Sequence, residues 1–174
     1  VRLSRGLGDV YKRQIETLCE NGYSLTTPPF LMNREAYEGV VDLTDFEEVM
    51  YKIEDHDLYL IATSEHPITA RFKNEIIELK DGPLKFAGIS TNFRREVGAH
   101  GISDRGIWRV HQFSKVEQVI ICKPEDSKEM HNEILENATL IFKKLEIPFR
   151  VIDICTGDIG LSLIHISEPT RQPN

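Results

Sequence analysis

The sequence predicts an α+β fold in which an antiparallel β-sheet is flanked by helices. Two long stretches, residues 84–97 and 107–122, alternate apolar and polar residues with the period of two that is typical of strands. A glycine-containing loop joins them without the crossover helix that a parallel pair needs, so we expect the two strands to be antiparallel. Residues 125–146 have the apolar spacing of an amphipathic helix, which Pro148 ends. Such strands with helices packed on one side define the α+β class.

Shorter elements are predicted before and after these strands. The pair Asn21-Gly22 closes a helix, because glycine readily takes the left-handed conformation that ends helices. The expected short segments are a helix end at 15–21, an extended stretch at 23–27, a buried strand at 58–62 and a final strand at 149–155.

A second helix is expected after the strand at 58–62. Thr63 or Ser64 can cap it, and Pro67 suits its first turn. The turn residues 81–83 would end it. Its apolar stripe, at a spacing of four residues, would consist of Ile68, Phe72 and Ile76.

The composition is that of an acidic globular protein. The chain has 174 residues, 40% of them hydrophobic, which is enough for one domain with a core. Its 21 basic and 28 acidic residues give a net charge of −7, which argues against a protein that coats nucleic acid. An enzyme that acts on nucleic acid through a local basic patch is still allowed. No apolar run approaches the roughly 18 residues of a membrane span, so we expect no membrane partner.

Cysteine and histidine spacing predicts no metal site. The three cysteines are too scattered for a disulfide framework or a zinc knuckle, which favours a reducing, cytoplasmic setting. These cysteines are Cys19, Cys122 and Cys155. The histidines do not follow HxxxH or HExxH spacing, and His111 is best interpreted as a structural residue that forms hydrogen bonds.

The two ends of the chain differ from its middle. Residues 1–14 lack both an initial methionine and the long apolar run of a signal peptide. Residues 161–174 follow a glycine-rich turn and fit neither a helix nor a strand. We expect both ends to be non-native adapter sequence, with residues 15–160 as a piece of a native domain. The alternative is that they are native tails.

The two long strands carry charged and aromatic side chains where one face of the sheet would be. Arg94 and Glu96 share one face of the first strand, and Arg109, Phe113 and Glu117 share one face of the second. Arginine suits phosphate oxygens, an aromatic ring suits a stacked base, and a carboxylate accepts from an amine. This face could hold a nucleotide and an amino-bearing partner. The alternative is a solvated face of ion pairs, each worth about 0–1 kcal/mol.

The longest of these motifs resemble a known family. Asn92–Glu96, a glycine-containing loop and Arg109–Phe113 resemble motif 2 of class II aminoacyl-tRNA synthetases. Ser114–Glu117 and Thr63–Glu65 are similar to the seryl-tRNA synthetase family in particular. Gly22–Pro29 is similar to the end of motif 1, and Cys155–Gly160 also matches the seryl family. The resemblance implies part of a class II synthetase catalytic core over 15–160.

The resemblance implies a role for each matching residue. Arg94 would grip the α-phosphate and the serine carboxylate, and Arg109 would reach the γ-phosphate of ATP. Glu96 would read the adenine amino group, and Phe113 would stack on the adenine. The serine pocket would consist of Thr63, Glu65 and Glu117, together with Arg94. Neighbouring residues expected at the ATP site are Arg95, Val110, His111 and Gln112.

The resemblance also implies a reaction: ATP-dependent activation of L-serine to seryl-adenylate, and its transfer to tRNA(Ser) and to tRNA(Sec) where that exists. ATP and Mg²⁺ would be the cofactors, and a homodimer the assembly. Motif 3, the tRNA-binding arm and most of the motif 1 helix are not found in this sequence, so we expect the fragment to be inactive alone. In the motif 2 loop, residues 101–105 read Gly-Ile-Ser-Asp-Arg where the family commonly has a Lys-Asp-Thr run.

Two other functions stay open. The first is an amino-acid ligase that loads a carrier protein, for which Cys122 and Cys155 would have to supply a metal site in place of Thr63 and Glu65. The second is a non-catalytic synthetase-like module that binds tRNA or another protein. It would require residues 161–174 to be native.

Overall fold

The computed structural model describes residues 7–41, 47–96 and 109–153. The chain divides into two units. The first unit consists of Val1–Ser24, Glu78–Lys85 and Ile120–Asn174. The second unit consists of Leu25–Ile77 and Phe86–Val119.

Two helices form most of the described part of the first unit. Helix α1 spans Leu7–Glu20, and its last turn is closed by Gly22, whose φ of 84° no other residue adopts as readily. The predicted helix end is therefore confirmed, although the helix begins well before residue 15. The expected boundary after residue 14 falls inside this continuous helix. The long predicted helix is also confirmed, at Ser127–Lys144.

Polar side chains join these two helices. Asn21 donates to Asn137 Oδ1 across 2.7 Å, and the Asn137 amide donates to the Tyr23 hydroxyl across 3.4 Å. Lys144 reaches the Thr17 hydroxyl at 3.3 Å. Because Asn137 is only 5% exposed, its hydrogen bonds remove the cost that an unpaired buried amide would carry.

The second unit contains two small sheets. Strands β2 and β3 pair antiparallel, with Met32 opposite Tyr59. The other sheet has the order β1-β4-β5, and most of β4 and β5 lies in this unit. The strands are β1 (Ser24–Thr26), β2 (Leu31–Asn33), β3 (Leu58–Leu60), β4 (Leu84–Phe93) and β5 (Gln112–Ile121). The short helices are α2 (Arg34–Glu38) and α3 (Glu65–Ala70), so the long helix of the first unit is α4.

The end of β4 lies beside the start of β5. The Arg94 N–H donates to the His111 carbonyl across 2.9 Å. Since the strands are neighbours in the sheet and meet at these opposite termini, they run in opposite directions. The predicted antiparallel pair, and with it the α+β class, is confirmed.

The core of the second unit lies under α2, β2 and β3. Asn33 caps α2 by accepting the Ala36 N–H at 2.9 Å. Tyr37 and Tyr59 are fully buried and meet edge to face, with ring centroids 5.9 Å apart. The buried members of this cluster are Met32, Tyr37, Val41, Met50, Tyr59, Ile61 and Ala62.

The helix after Ser64 is shorter than predicted. It ends at Ala70, and Ile76, the last residue of the expected stripe, is 98% exposed. The chain then turns through Asn74, whose φ of 62° is incompatible with a continuing right-handed helix. Phe72 packs on Phe86 from this turn, with centroids 5.7 Å apart. Of the three residues of the expected apolar stripe, only Ile68 lies within the helix and is buried.

Both long strands are also shorter than predicted. β4 ends at Phe93, so Glu96 does not continue the alternation of the strand, and its φ of 52° turns the chain. The polar side of β4 is buried rather than open, since Ser90 is 4% exposed and Asn92 is fully buried. The Ser90 hydroxyl donates to Asn92 Oδ1 at 2.6 Å, which offsets part of the cost of burying these two side chains. β5 starts at Gln112, so Arg109 precedes it.

The final strand predicted at 149–155 is wrong for the residues that the structure describes. Residues 149–153 pair with no strand among the residues 7–41, 47–96 and 109–153, and they are exposed. The segment has the apolar residues that are typical of a strand, but Val151 is 58% exposed and Ile152 is 69% exposed. A strand pattern alone does not form a strand where no described sheet pairs with it.

Candidate functional site

The candidate residues come from three places in the second unit. Thr63 and Glu65 lie at the start of α3, Arg94 follows the end of β4, and Phe113 and Glu117 lie on one side of β5. Alternate residues of a strand point to the same side, so Phe113 and Glu117 lie on one side of β5. The antiparallel pairing of β4 with β5 brings Arg94 next to these two side chains.

A cavity of about 360 Å³ lies at the junction of the two strands. It is lined by five of the residues that the sequence singled out, namely Arg94, Glu96, Arg109, Val110 and Phe113. The charge and aromatic character expected for this face are therefore present in one cavity. The turn at Glu96, rather than strand alternation, is what directs its carboxylate there.

The Arg94 side chain is held on two sides. Its Nε donates to the Ala62 carbonyl at 3.2 Å. Its guanidinium carbon lies 5.2 Å from the centroid of the Phe113 ring, within the range of a cation–π contact. One edge of the guanidinium group is thus used by the protein, which fixes the direction in which the remaining N–H groups point.

Arg109 and Glu96 form an ion pair at the mouth of the cavity. Arg109 Nη1 donates to Glu96 Oε2 at 2.6 Å. The Glu96 side chain is 18% exposed and that of Arg109 is 44% exposed. Such a partly exposed pair is worth little in stability, so it can be exchanged for a ligand at low cost.

A second polar cluster adjoins the first through α3 and β5. The Thr63 hydroxyl donates to Glu117 Oε2 at 3.4 Å, and the Glu65 N–H donates to Thr63 Oγ1 at the same distance. Lys115 forms an ion pair with the same Glu117 oxygen. Burial and the neighbouring Glu117 charge raise the pKa of Glu65, and Lys115 opposes that rise.

His66 lies directly behind this cluster. It is 6% exposed, and its ring meets the Tyr37 ring at 5.4 Å between centroids. Burial lowers the pKa of His66 to about 4, with the charges of Lys115 and Arg94 adding to the effect. His66 is therefore neutral at pH 7.

Three other predicted site residues, Arg95, His111 and Gln112, are not among the residues that line the cavity. Arg95 is exposed and is tied to the protein through its N–H, which donates to the Val49 carbonyl at 2.8 Å. His111 shares a hydrogen bond with the Tyr51 hydroxyl, in agreement with the structural role expected for it. Gln112 is exposed at the first position of β5.

Sequence reasoning missed Lys115, His66 and Tyr51 as neighbours of the site. Lys115 stands between Phe113 and Glu117 on the same alternating face of β5, and that spacing was the signal that could have found it. No sequence pattern places Tyr51 beside His111, since 60 residues separate them.

Other expectations lie partly outside the described residues. The loop at 97–108 and the segment Cys155–Gly160 are among the residues that the structure does not describe. In the parts that it does describe, no three His, Cys, Asp or Glu side chains converge on a metal site. Among those same residues, no helix is both long and apolar enough to cross a membrane.

Comparison with known proteins matches this chain to synthetases. The family model described as "tRNA synthetase class II core domain (G, H, P, S and T)" matches residues 48–166. The chain is 59% identical over 146 residues to a serine–tRNA ligase of Methanocella arvoryzae, and 60% identical over 146 residues to that of Methanocorpusculum labreanum. Each alignment covers 84% of this chain and 34% of the relative, so the chain spans about a third of these proteins.

Solved structures give the same result. The structure of seryl-tRNA synthetase from Pyrococcus horikoshii complexed with ATP matches with a TM-score of 0.81 and 48% identity, over 86% of this chain and 33% of that one. The cytoplasmic serine–tRNA ligase of Naegleria fowleri in complex with AMP matches with a TM-score of 0.80 and 40% identity, over 86% of this chain and 36% of that one. The motif resemblance and the predicted fold are both confirmed, and this chain belongs to the class II tRNA synthetase core domain family.

Proposed function

We propose that the protein containing this chain is a serine–tRNA ligase, which activates L-serine with ATP and transfers it to tRNA(Ser), and to tRNA(Sec) where that exists. The observation that carries the proposal is the position of two adjacent polar clusters on one face of the unit. One combines Arg94, Arg109, Glu96 and Phe113 in a cavity. The other joins Thr63 to Glu117. The first suits a nucleotide and the second suits a small amino acid.

The cavity suits ATP in charge and shape. Phe113 supplies an aromatic face for the adenine, and Glu96 an acceptor for its amino group. Arg94 and Arg109 supply planar forks for the α- and γ-phosphates. The pairing of Arg109 with Glu96 keeps both groups at the mouth of the cavity until the nucleotide replaces each partner. The ATP complex of the Pyrococcus relative supports ATP as the ligand.

The second cluster suits the amino and hydroxyl groups of serine. Glu65 and Glu117 are carboxylates beside a buried hydroxyl, that of Thr63, which is 6% exposed. A carboxylate pair attracts an ammonium group, and a site built to bond a hydroxyl rejects analogues without one by roughly 10⁴-fold. The arrangement therefore favours serine over alanine or glycine.

The chemistry follows from positioning and charge. The serine carboxylate attacks the α-phosphorus of ATP, the bond to the bridging oxygen breaks, and pyrophosphate leaves with that electron pair. No protein base is needed, because the attacking carboxylate is already ionised. Arg94, fixed by Ala62 and Phe113, holds the α-phosphate and the carboxylate together as charge builds up. The terminal adenosine hydroxyl of the tRNA then attacks the seryl carbonyl, the bond from that carbon to the phosphate oxygen breaks, and AMP leaves with the electron pair while its phosphate takes up the hydroxyl proton.

Mg²⁺ is proposed as a companion of ATP, since it neutralises phosphate charge in such reactions. The described residues do not build a cage for it, because no three potential ligands converge among them. Glu96, the carboxylate in the ATP cavity, is also engaged by Arg109.

The assembly and the setting are proposals of the same kind. We propose a homodimer in the cytoplasm, from the family resemblance and from the scattered cysteines. We further propose that residues 15–160 are the native part of this chain. The relatives align over 146 residues, the number that 15–160 contains, whereas the family match extends to residue 166. Sequencing the source locus across both junctions tests this boundary.

Aminoacylation by the full-length protein tests the function and separates it from the alternatives. We expect labelled serine to become attached to tRNA(Ser) in an ATP-dependent manner, and not to tRNA(Thr). Transfer to a carrier protein instead of tRNA would support the carrier-protein ligase. Binding of tRNA without any serine transfer would support the non-catalytic module. The intact pair of Thr63 and Glu117 argues against both.

A further inference from the structure

We propose that Lys115 is a positioning residue of the amino-acid pocket, which holds Glu117 in place and allows Glu65 and Glu117 to be ionised side by side. The inference rests on the proposed function and deepens it. It concerns a residue that neither the motif resemblance nor the sequence pattern assigned to the pocket.

Glu117 is held by two neighbouring side chains, Lys115 and Thr63. Lys115 and Glu117 stand two residues apart on β5, so both side chains lie on the same side of the sheet. Lys115 Nζ pairs with Glu117 Oε2, the oxygen that also accepts from the Thr63 hydroxyl. Both contacts use one carboxylate oxygen, so within the part of the chain that the structure describes Oε1 is the oxygen available to an amino-acid substrate.

Glu65 lies near charged side chains of both signs. The groups that act on it from β5 are Glu117, which opposes its ionisation, and Lys115, which favours it. On its own helix His66 is neutral, and Arg94 at the end of β4 acts on that histidine. Among the described residues, Lys115 is therefore the cation acting on Glu65 that reduces two adjacent carboxylate charges to a net charge of one. A single net negative charge matches the ammonium group of one amino acid.

The loss of Lys115 has a pH signature that a merely structural residue lacks. Without the lysine, the two carboxylates repel each other, and Glu65 takes up a proton more readily. Serine binding then weakens most at low pH and recovers as the pH rises and Glu65 ionises. A residue that only supports the fold would weaken binding equally at every pH.

The test is serine binding to the full-length protein by calorimetry between pH 6 and 8.5. We expect Lys115→Met to raise the Kd for serine about tenfold at pH 6, with a loss that shrinks as the pH rises. Lys115→Arg, which keeps the charge, should behave like the unmodified protein. The Kd for ATP should stay within twofold in every variant.

Lys73→Met is the matched control. Lys73 pairs with Glu35 at 3.0 Å, and its side chain is 32% exposed, as is that of Lys115. We expect it to leave the pH profile unchanged. The double variant Glu65→Gln/Lys115→Met should bind serine more weakly than the unmodified protein, and to the same extent at every pH, since the titrating carboxyl is gone.

Each result decides between the proposals. If Lys115→Met weakens serine binding equally at all pH values, or strengthens it by removing a repelling cation, the positioning role is overturned. The same holds if its profile matches that of Lys73→Met. If the unmodified protein binds ATP but not serine, the proposed function fails and the inference fails with it.

Discussion

Arg109 and Glu96 neutralise each other across 2.6 Å, although the proposed function gives them opposite ends of the same nucleotide. Both line the cavity with Phe113 and Arg94. Under the proposed function, ATP exchanges this ion pair for two new contacts, one to its adenine amino group and one to its γ-phosphate. Since the pair is partly exposed, the exchange costs little compared with a charge-assisted phosphate contact.

The first prediction concerns Arg109. Arg109→Ala removes the γ-phosphate contact, so we expect the KM for ATP to rise about tenfold or more, while serine binding stays within twofold. Steady-state pyrophosphate exchange at varied ATP gives the KM. Arg71→Ala is the control, because Arg71 is an exposed arginine at the end of α3. An unchanged KM in Arg109→Ala would contradict the assignment of this residue to the nucleotide.

The second prediction concerns acid stability. Burial lowers the pKa of His66 to about 4 from an ordinary value of 6.5, so the folded state favours its neutral form. His66 thus contributes stability that is fully present above pH 6.5 and is lost as the pH falls towards 4. As the pH falls over this interval, we expect the free energy of unfolding of His66→Phe to decrease by roughly 2–3 kcal/mol less than that of the unmodified chain. Urea unfolding at pH 7 and at pH 4.5 measures the difference.

A matched histidine keeps that test specific. His131 is exposed on α4, and we expect His131→Asn to keep the acid sensitivity of the unmodified chain. Equal acid sensitivity in His66→Phe and the unmodified chain would show that another group controls the transition.

The third prediction concerns Glu65, whose contribution to stability changes with pH in the opposite direction to that of His66. Burial and Glu117 raise the pKa of Glu65, so the folded state favours the protonated form, and this contribution to stability is lost as the pH rises through the folded pKa. We expect Glu65→Gln to be more stable than the unmodified protein at pH 7, with a Tm about 2–4 °C higher for each kcal/mol gained. The same variant should lose serine activation.

Thermal melts at pH 7 and pH 4 check the linkage. The gain should vanish near pH 4, where the unmodified carboxyl is already protonated. A Glu65→Gln variant that is less stable at pH 7, or that keeps full activity, would mean that Glu65 is an ordinary helix-capping acid.

The fourth prediction concerns the packing of α3 on β4. A Cβ added at Gly88 would lie 2.6 Å from Ile68 Cδ1 and 2.8 Å from the Ser64 hydroxyl, which is fully buried. We expect Gly88→Ala to destabilise the fold by about 1–3 kcal/mol through overpacking. Gly39→Ala is the contrasting control, since a Cβ added at Gly39 would meet no atom closer than 3.5 Å and its φ is −78°, so this variant should gain about 0.4–1 kcal/mol. Urea unfolding of both variants measures the contrast, and equal stabilities would contradict the close packing.

The sequence was most informative where a local pattern coincides with a local structure. Alternation placed Phe113 and Glu117 on one side of β5, and Asn21-Gly22 marked the end of α1. Strand alternation gave the wrong position for Glu96, because a turn with positive φ directs that residue into the cavity. The sequence pattern also failed for Ile76, since helical spacing does not reveal where an asparagine turns the chain.

The missing parts of the site depend on long-range contacts. The Thr63–Glu117 hydrogen bond joins residues 54 positions apart, and the Tyr51–His111 contact joins residues 60 apart. Such pairs follow from the pairing of whole strands and helices, which no short motif encodes. Only the family resemblance brought Thr63 and Glu117 together before the structure did.

The most direct test of the central claim is amino-acid-dependent exchange of labelled pyrophosphate into ATP by the full-length protein, with Arg94→Ala alongside. Exchange should depend on serine and not on threonine, proline or glycine. Arg94→Ala should reduce it by about 10²-fold or more while its melting curve stays that of a folded protein. Exchange that depends on another amino acid, or that survives in Arg94→Ala, would contradict the account.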